Sequence, residues 1–149
     1  MGCREPGRGS DSLSNRARDG RQTHREHTVK YLLIMQVNPA VLDALSEEER
    51  TAIGEAHGDF MKTIQESGEF ILTQALADPA TTKVVRGGDV AAVTDGPYLE
   101  AKEFMGGFYL IDCESEERAI EIAKLIPDTK IKGLAIEIRP VMFSAGADL

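Results

Sequence analysis

Apolar residues fall along this chain in short runs, and their spacing switches between two periods. Residues 29–36 (VKYLLIMQ) are almost continuously apolar and rich in β-formers, which predicts a strand buried on both faces and central in its sheet. Asn38-Pro39 breaks that run. Over residues 47–67 the period lengthens. Ile53, Ala56, His57, Phe60, Met61 and Ile64 share one stripe of a helix. Ser46 with Glu49 three positions on reads as a capping box, and the three glutamates of the first turn suit the helix dipole. Gly68 follows as the terminator. Residues 69–76 predict a second strand. Residues 81–86 and 90–94 predict two more around Gly87-Gly88, a hairpin signal. The stretch from Tyr98 to Met105 reads as a loop or a single helical turn.

The second half repeats the pattern. Residues 107–113 form a strand of buried character, and Ser115 caps a helix over residues 116–126. Ala119, Ile122, Ala123 and Ile126 are its inner stripe, and Pro127 ends it. Residues 134–142 alternate clearly: Leu134, Ile136, Ile138 and Met142 on one face, Glu137 and Arg139 on the other. The order β-α-β, hairpin, β-α-β defines an α+β fold, a ferredoxin-like split βαβ with an inserted β-hairpin. Its antiparallel sheet carries two helices on one face. The opposite face then needs a partner, because Tyr31, Leu33, Tyr109 and Ile111 cannot all sit in water. A homodimer with an isologous interface is the expectation.

Composition narrows this picture. At 149 residues and 42% hydrophobic content, one domain with a real core is expected. Trp is absent and aromatics are few, so aliphatic side chains do most of the packing. No apolar run approaches the length of a membrane helix, and no secretory signal opens the chain. Cys3 and Cys113 make a poor disulfide framework, which fits a reducing cytoplasm. Residues 1–28 are nearly devoid of apolar side chains and are expected to be a disordered extension, not part of the native product, with Val29 as the true start. The domain then spans residues 29–143, and residues 144–149 are expected to fray. The whole chain carries a net charge of −8, of which residues 1–28 contribute +2 and the remainder −10. An acidic body repels phosphate and argues against nucleic acid as a partner.

One stretch stands out from ordinary patterning. Thr94-Asp95-Gly96-Pro97-Tyr98 is a turn sequence in which Gly96 can take positive φ and Pro97 bars the helical region before it. Glu100-Ala101-Lys102-Glu103 follows, then Gly106-Gly107-Phe108-Tyr109-Leu110-Ile111, where the glycine pair reads as a bulge. The chain ends its last strand in Glu137-Ile138-Arg139-Pro140-Val141. These three segments, in this order, resemble the signature of the YCII-related family in its DGPF-domain branch, with Tyr98 where that branch has Phe. The resemblance runs from about Val29 to Met142. It implies a dimeric α+β barrel, in which two sheets pack face to face. It also implies a possible His–Asp active site, and for the DGPF branch a possible link with sigma-factor systems.

The residues themselves allow several chemistries. His57 lies inside a buried stripe, where it is either a satisfied core histidine or an acid–base group. The resemblance extends to it through the His-x-x-Phe context of His57-Gly58-Asp59-Phe60. Asp95, in the signature turn, is the expected carboxylate partner of His57, with Asp112 a weaker rival. Tyr98, Lys102, Tyr109 and Arg139 are candidates for binding a polar or anionic small molecule. Cys113 lacks a base and reads as structural. No metal cluster, nucleotide loop or haem motif is present, so neither metal nor cofactor is expected. Two functions remain open: a cofactor-free acid–base enzyme or small-molecule binder, and a non-catalytic dimeric accessory or regulatory module.

Overall fold

The computed structural model describes residues 28–98 and 101–146. Six strands and three helices occur among them, in the order β1 (Val29–Val37), α1 (Pro39–Asp43), α2 (Glu47–Glu66), β2 (Phe70–Ala75), β3 (Lys83–Arg86), β4 (Ala92–Asp95), β5 (Phe104–Cys113), α3 (Glu116–Leu125) and β6 (Ala135–Pro140). Four strands form one sheet in the order β2-β5-β1-β6, every pair antiparallel. β3 and β4 form a separate two-stranded ribbon. This is the ferredoxin-like α+β arrangement with an inserted hairpin that the element order predicts. Both β1 and β5 lie inside the sheet, as their near-continuous apolar runs require. The expectations for residues 1–27, for Leu99 and Glu100, and for residues 147–149 lie outside the described residues.

Local chemistry sets the ends of the elements. At the start of α2 the Ser46 hydroxyl accepts from the Glu49 amide at 3.1 Å, and the Glu49 carboxylate accepts from the Ser46 amide at 2.7 Å. Gly68, at φ 78°, takes the left-handed turn that ends the helix. Asn38-Pro39 does more than stop β1. The Asn38 side chain caps a five-residue helix with Pro39 in its first turn. Pro127 likewise both stops α3 and opens a 3₁₀ turn, Pro127–Lys130. Gly96 differs from expectation in its reason. It is not at positive φ; a Cβ there would lie 2.8 Å from Thr82 Cγ2 and 2.9 Å from Val84 Cγ2, so the hairpin closes only over a glycine. The bulge in β5 falls at Gly106, where the register against β1 slips between Met35 and Gln36.

The core lies between the sheet and the helices α2 and α3. Leu33, Ile111, Ala119, Ile122 and Ile126 are completely buried there, with Tyr31, Phe60, Ile64, Tyr109 and Cys113 close behind. The expectation that Tyr31, Leu33, Tyr109 and Ile111 face away from the helices is therefore corrected: all four face them. The opposite face carries Leu32, Ile34, Leu72, Phe108 and Leu110, which alternate with the first set and are paired in register as Leu32 with Leu110 and Ile34 with Phe108. Because side chains alternate with period two, a reading that is off by one residue exchanges the two faces. With both faces apolar, alternation alone could not tell them apart.

A charged latch fastens α3 to the sheet. The Arg118 guanidinium donates to both carboxylate oxygens of Glu69, at 2.9 and 2.7 Å, and also to Glu121 at 3.1 Å. The Arg118 hydrogen bonds hold the Glu69 carboxyl below the usual carboxylate range, against the opposing effect of burial. A lowered folded-state pKa means that the latch stabilises the fold above the unfolded carboxylate pKa and loses its effect as pH falls through the lower folded value. Glu69→Gln should cost about 1–3 kcal/mol at neutral pH, between the values for exposed and fully buried pairs. Urea unfolding of both proteins at neutral and acid pH checks this: the difference between them should shrink as the solution is acidified.

Candidate functional site

Three side chains from three separate elements meet under α2. His57 projects from the inner stripe of α2, one turn before Phe60. Its Nδ1 lies 2.7 Å from the Tyr109 hydroxyl of β5, and its Nε2 lies 2.7 Å from Asp128 Oδ1 on the Pro127–Lys130 turn. The His57 and Tyr109 rings are nearly parallel, at 11° with centroids 6.0 Å apart. Phe60 meets Tyr109 edge-on at 4.9 Å and holds the phenol ring in place. The His57 side chain keeps 20% of its surface exposed, whereas Asp128 is the one charged residue in the buried class among the described residues.

The Asp128 turn is itself pinned. The Thr129 hydroxyl shares its one hydrogen between Ile126 O at 2.8 Å and Lys124 O at 3.1 Å, and the Ile131 amide donates to Asp128 O at 3.1 Å. These bonds fix where α3 ends and aim the carboxylate back towards α2. A buried carboxylate needs such a partner, since an unpaired one costs several kcal/mol.

Hydrogen-bond roles follow from the groups. An ionised carboxylate only accepts, so Nε2 carries the hydrogen shared with Asp128. In neutral His57, Nδ1 is then bare and accepts from the Tyr109 O–H. The hydrogen-bond line thus runs from the Tyr109 hydroxyl through the imidazole to the Asp128 carboxylate. Burial, and secondarily the negative charge of Asp128, push the Tyr109 hydroxyl from its ordinary 10.0 up to about 12.

The other candidates lie elsewhere. Asp95 is not the partner of His57. It stands on the β3–β4 ribbon directly opposite Lys83, and its exposed carboxylate bonds the Lys83 ammonium. The ribbon is separate from the four-stranded sheet, so a place in the signature turn does not bring Asp95 under α2. Tyr98 is 64% exposed, with the Arg86 guanidinium 5.1 Å over its ring. Lys102 is exposed ahead of β5. Arg139 is exposed on β6, opposite Leu32 and so on the face away from the helices, as its alternation predicts. Only Tyr109 of the four joins His57, as its hydrogen-bond partner. Asp112 lies on that same far face, opposite Lys30, with a buried Oδ1 that has no partner among the described residues. The Cys113 thiol is buried, donates to Ser115 O at 3.3 Å and is pushed up by burial, which makes it a poor nucleophile. No group of three or more potential metal ligands occurs among the described residues, and no helix among them is long and apolar enough to cross a membrane.

Sequence reasoning misses Asp128 because Pro127 reads first as a stop. Proline also favours the first position of a new helical turn, and an acid directly after it is a readable sign.

A cleft of about 310 Å³ opens between α2 and the Pro127–Lys130 turn, lined by neighbours of the trio and not by the trio itself. Its walls are Ala56, Asp59, Phe60 and Thr63 of α2 with Leu125, Pro127 and Lys130 across from them. Ala56 and Pro127 are the chain neighbours of His57 and Asp128, and Phe60 is the ring packed on Tyr109.

Geometry and topology together define a ferredoxin-like α+β domain with a His–Asp–Tyr hydrogen-bonded set between helix and sheet. Residues 29–143 match the family model of the YCII-related domain, and the chain belongs to that family. It is also similar to an uncharacterised protein of Rhizobium meliloti (strain 1021), 27% identical over 112 residues that cover 74% of this chain and 90% of that protein.

The raised Tyr109 pKa carries a sign. The folded protein keeps the phenol protonated where the unfolded chain has lost the proton, so this contribution to stability is complete below pH 10 and is lost as pH rises towards about 12. Tyr109→Phe should abolish that part of the alkaline decline, as read by urea unfolding across the range. It should also cost about 1–2 kcal/mol near neutrality by stranding Nδ1. In the wild type, ¹⁵N NMR of the neutral imidazole should report the Nε2–H tautomer.

Proposed function

We propose that this YCII-related protein binds a small organic molecule in the cleft beside His57 and performs cofactor-free acid–base chemistry there. The observation that carries the reading is the two-sided bonding of His57, to a buried carboxylate on one nitrogen and to a phenol on the other. A histidine that only fills a core does not require a buried acid from a distant turn. Asp128 holds the tautomer by accepting from Nε2–H. His57, at the accessible edge, takes the ligand proton at Nδ1, the nitrogen bare in the neutral ring, and returns it from there, while the Tyr109 hydroxyl stays protonated and bonds Nδ1 whenever that nitrogen is free. Proton abstraction beside a carbonyl, isomerisation and lactone chemistry all suit this equipment.

The same reading includes a homodimer. Leu32, Leu72 and Phe108 stay half-buried on the sheet face away from the helices, an apolar surface suited to a second copy. A dimer formed there leaves the cleft on the helix side open.

A second reading has one observation in its favour: both nitrogens of His57 are already bonded within the chain, as they would be in a structural histidine. The protein would then be a non-catalytic dimeric accessory or regulatory module, for which the family resemblance raises a link with sigma-factor systems.

Deuterium uptake beside the carbonyl of small oxo acids and lactones, followed by NMR in heavy water, separates the two. The wild type should accelerate uptake for at least one compound, and His57→Gln and Asp128→Asn should each lose roughly 10²–10⁴-fold. Uptake no faster with the wild type than with His57→Gln across the panel would leave the non-catalytic module. For the dimer, sedimentation should give twice the monomer mass, and Phe108→Glu should give the monomer.

A further inference from the structure

The cleft beside the trio has an uneven charge. The body of the protein is strongly acidic, yet three of the chain's seven lysines, Lys124, Lys130 and Lys132, fall within nine residues around the turn that closes the cleft. All three are exposed, and none has an ion pair among the described residues. Lys130 lines the cleft directly. Asp128, the acid nearest to Lys130 in sequence, is turned inward onto His57. At the other wall stands Asp59, also exposed and also without an ion pair among the described residues. The surface between the two is apolar: Ala56, Phe60, Leu125 and Pro127.

We propose that this cleft takes a small organic monocarboxylate, its apolar body lying on Phe60, Leu125 and Pro127 and its carboxylate at the Lys130 ammonium. The inference rests on the cleft being the ligand site named above and goes beyond it by fixing the ligand class and its anchor. Size sets the first limit, since about 310 Å³ lies at the small end of ligand pockets and suits a single ring or a short branched chain. Charge sets the second. One lysine balances one negative charge, and Asp59 across the cleft repels a second, so a dianion is excluded at that end while a hydroxyl or amino donor is welcome there. Lys130 directs, and the apolar walls supply most of the affinity.

Phenylacetate and its uncharged isostere phenylacetamide test this with the full chain, by ¹H–¹⁵N NMR titration. Phenylacetate should give saturable shifts at the amides of Ala56, Thr63 and Lys130. Phenylacetamide should bind about three- to five-fold more weakly, the scale of one exposed ion pair, and raised salt should narrow that gap. Lys130→Gln, an exposed change that leaves the spectrum of the folded core intact, should bring the two ligands to equal affinity. Equal affinity in the wild type, or no saturable shift at these amides with phenylacetate, overturns the proposal. The readout is binding alone, so it fails or stands separately from deuterium uptake, which reads the proton chemistry.

Discussion

Everything at the site depends on which side chains of β1 and β5 turn towards the helices. Tyr31, Leu33, Tyr109, Ile111 and Cys113 share that side, and their burial against α2 and α3 fixes the register of both strands. A slip of one residue would carry Tyr109 to the far face and leave His57 without its phenol. The polar set is thus positioned by apolar packing. Aliphatic contacts with Ile64, Ile122 and Ile126 hold the three elements together, and the hydrogen bonds of His57 are made at no further cost in ordered backbone.

The elements themselves are legible in the sequence because local chemistry marks their ends. The Ser46–Glu49 box, Gly68, Ser115 and the Gly106 bulge each act within a few residues, and sequence spacing carries that information. The fold class follows from element order. Facts that depend on two distant segments are not legible in this way. The two sheet faces are easily exchanged because β1 and β5 are apolar on both. Asp95 suggests itself for His57 because both stand out in sequence, yet Asp95 has a nearer claim in Lys83, its direct cross-strand neighbour. Asp128 lies 71 positions from His57 and behind a proline, so only the closed fold reveals the pair.

The distribution of charge gives the molecule two unlike sides. Acidic residues dominate the surface and α2 begins with three glutamates, while the turn after α3 gathers lysines and hides its own aspartate. The sheet face away from the helices is different again, with an apolar centre bordered by Arg139, Glu137 and Asp112. The proposed contact between copies and the proposed ligand cleft therefore lie on separate surfaces, and changes in one need not disturb the other.

The length of α3 sets the aim of Asp128. Only Ile126, itself completely buried, separates the helix from the turn that carries the carboxylate, which leaves no loop to absorb a change in phase. Each residue added to an α-helix rotates the chain beyond it by about 100° and advances it by about 1.5 Å. One residue inserted in α3 would swing the carboxylate away from α2 even if every core contact re-formed. A residue inserted at the Gly87-Gly88 end of the β3–β4 ribbon would leave that aim untouched, but the distance from Ser115 to Pro127 is counted in whole residues, and the histidine is what does the counting.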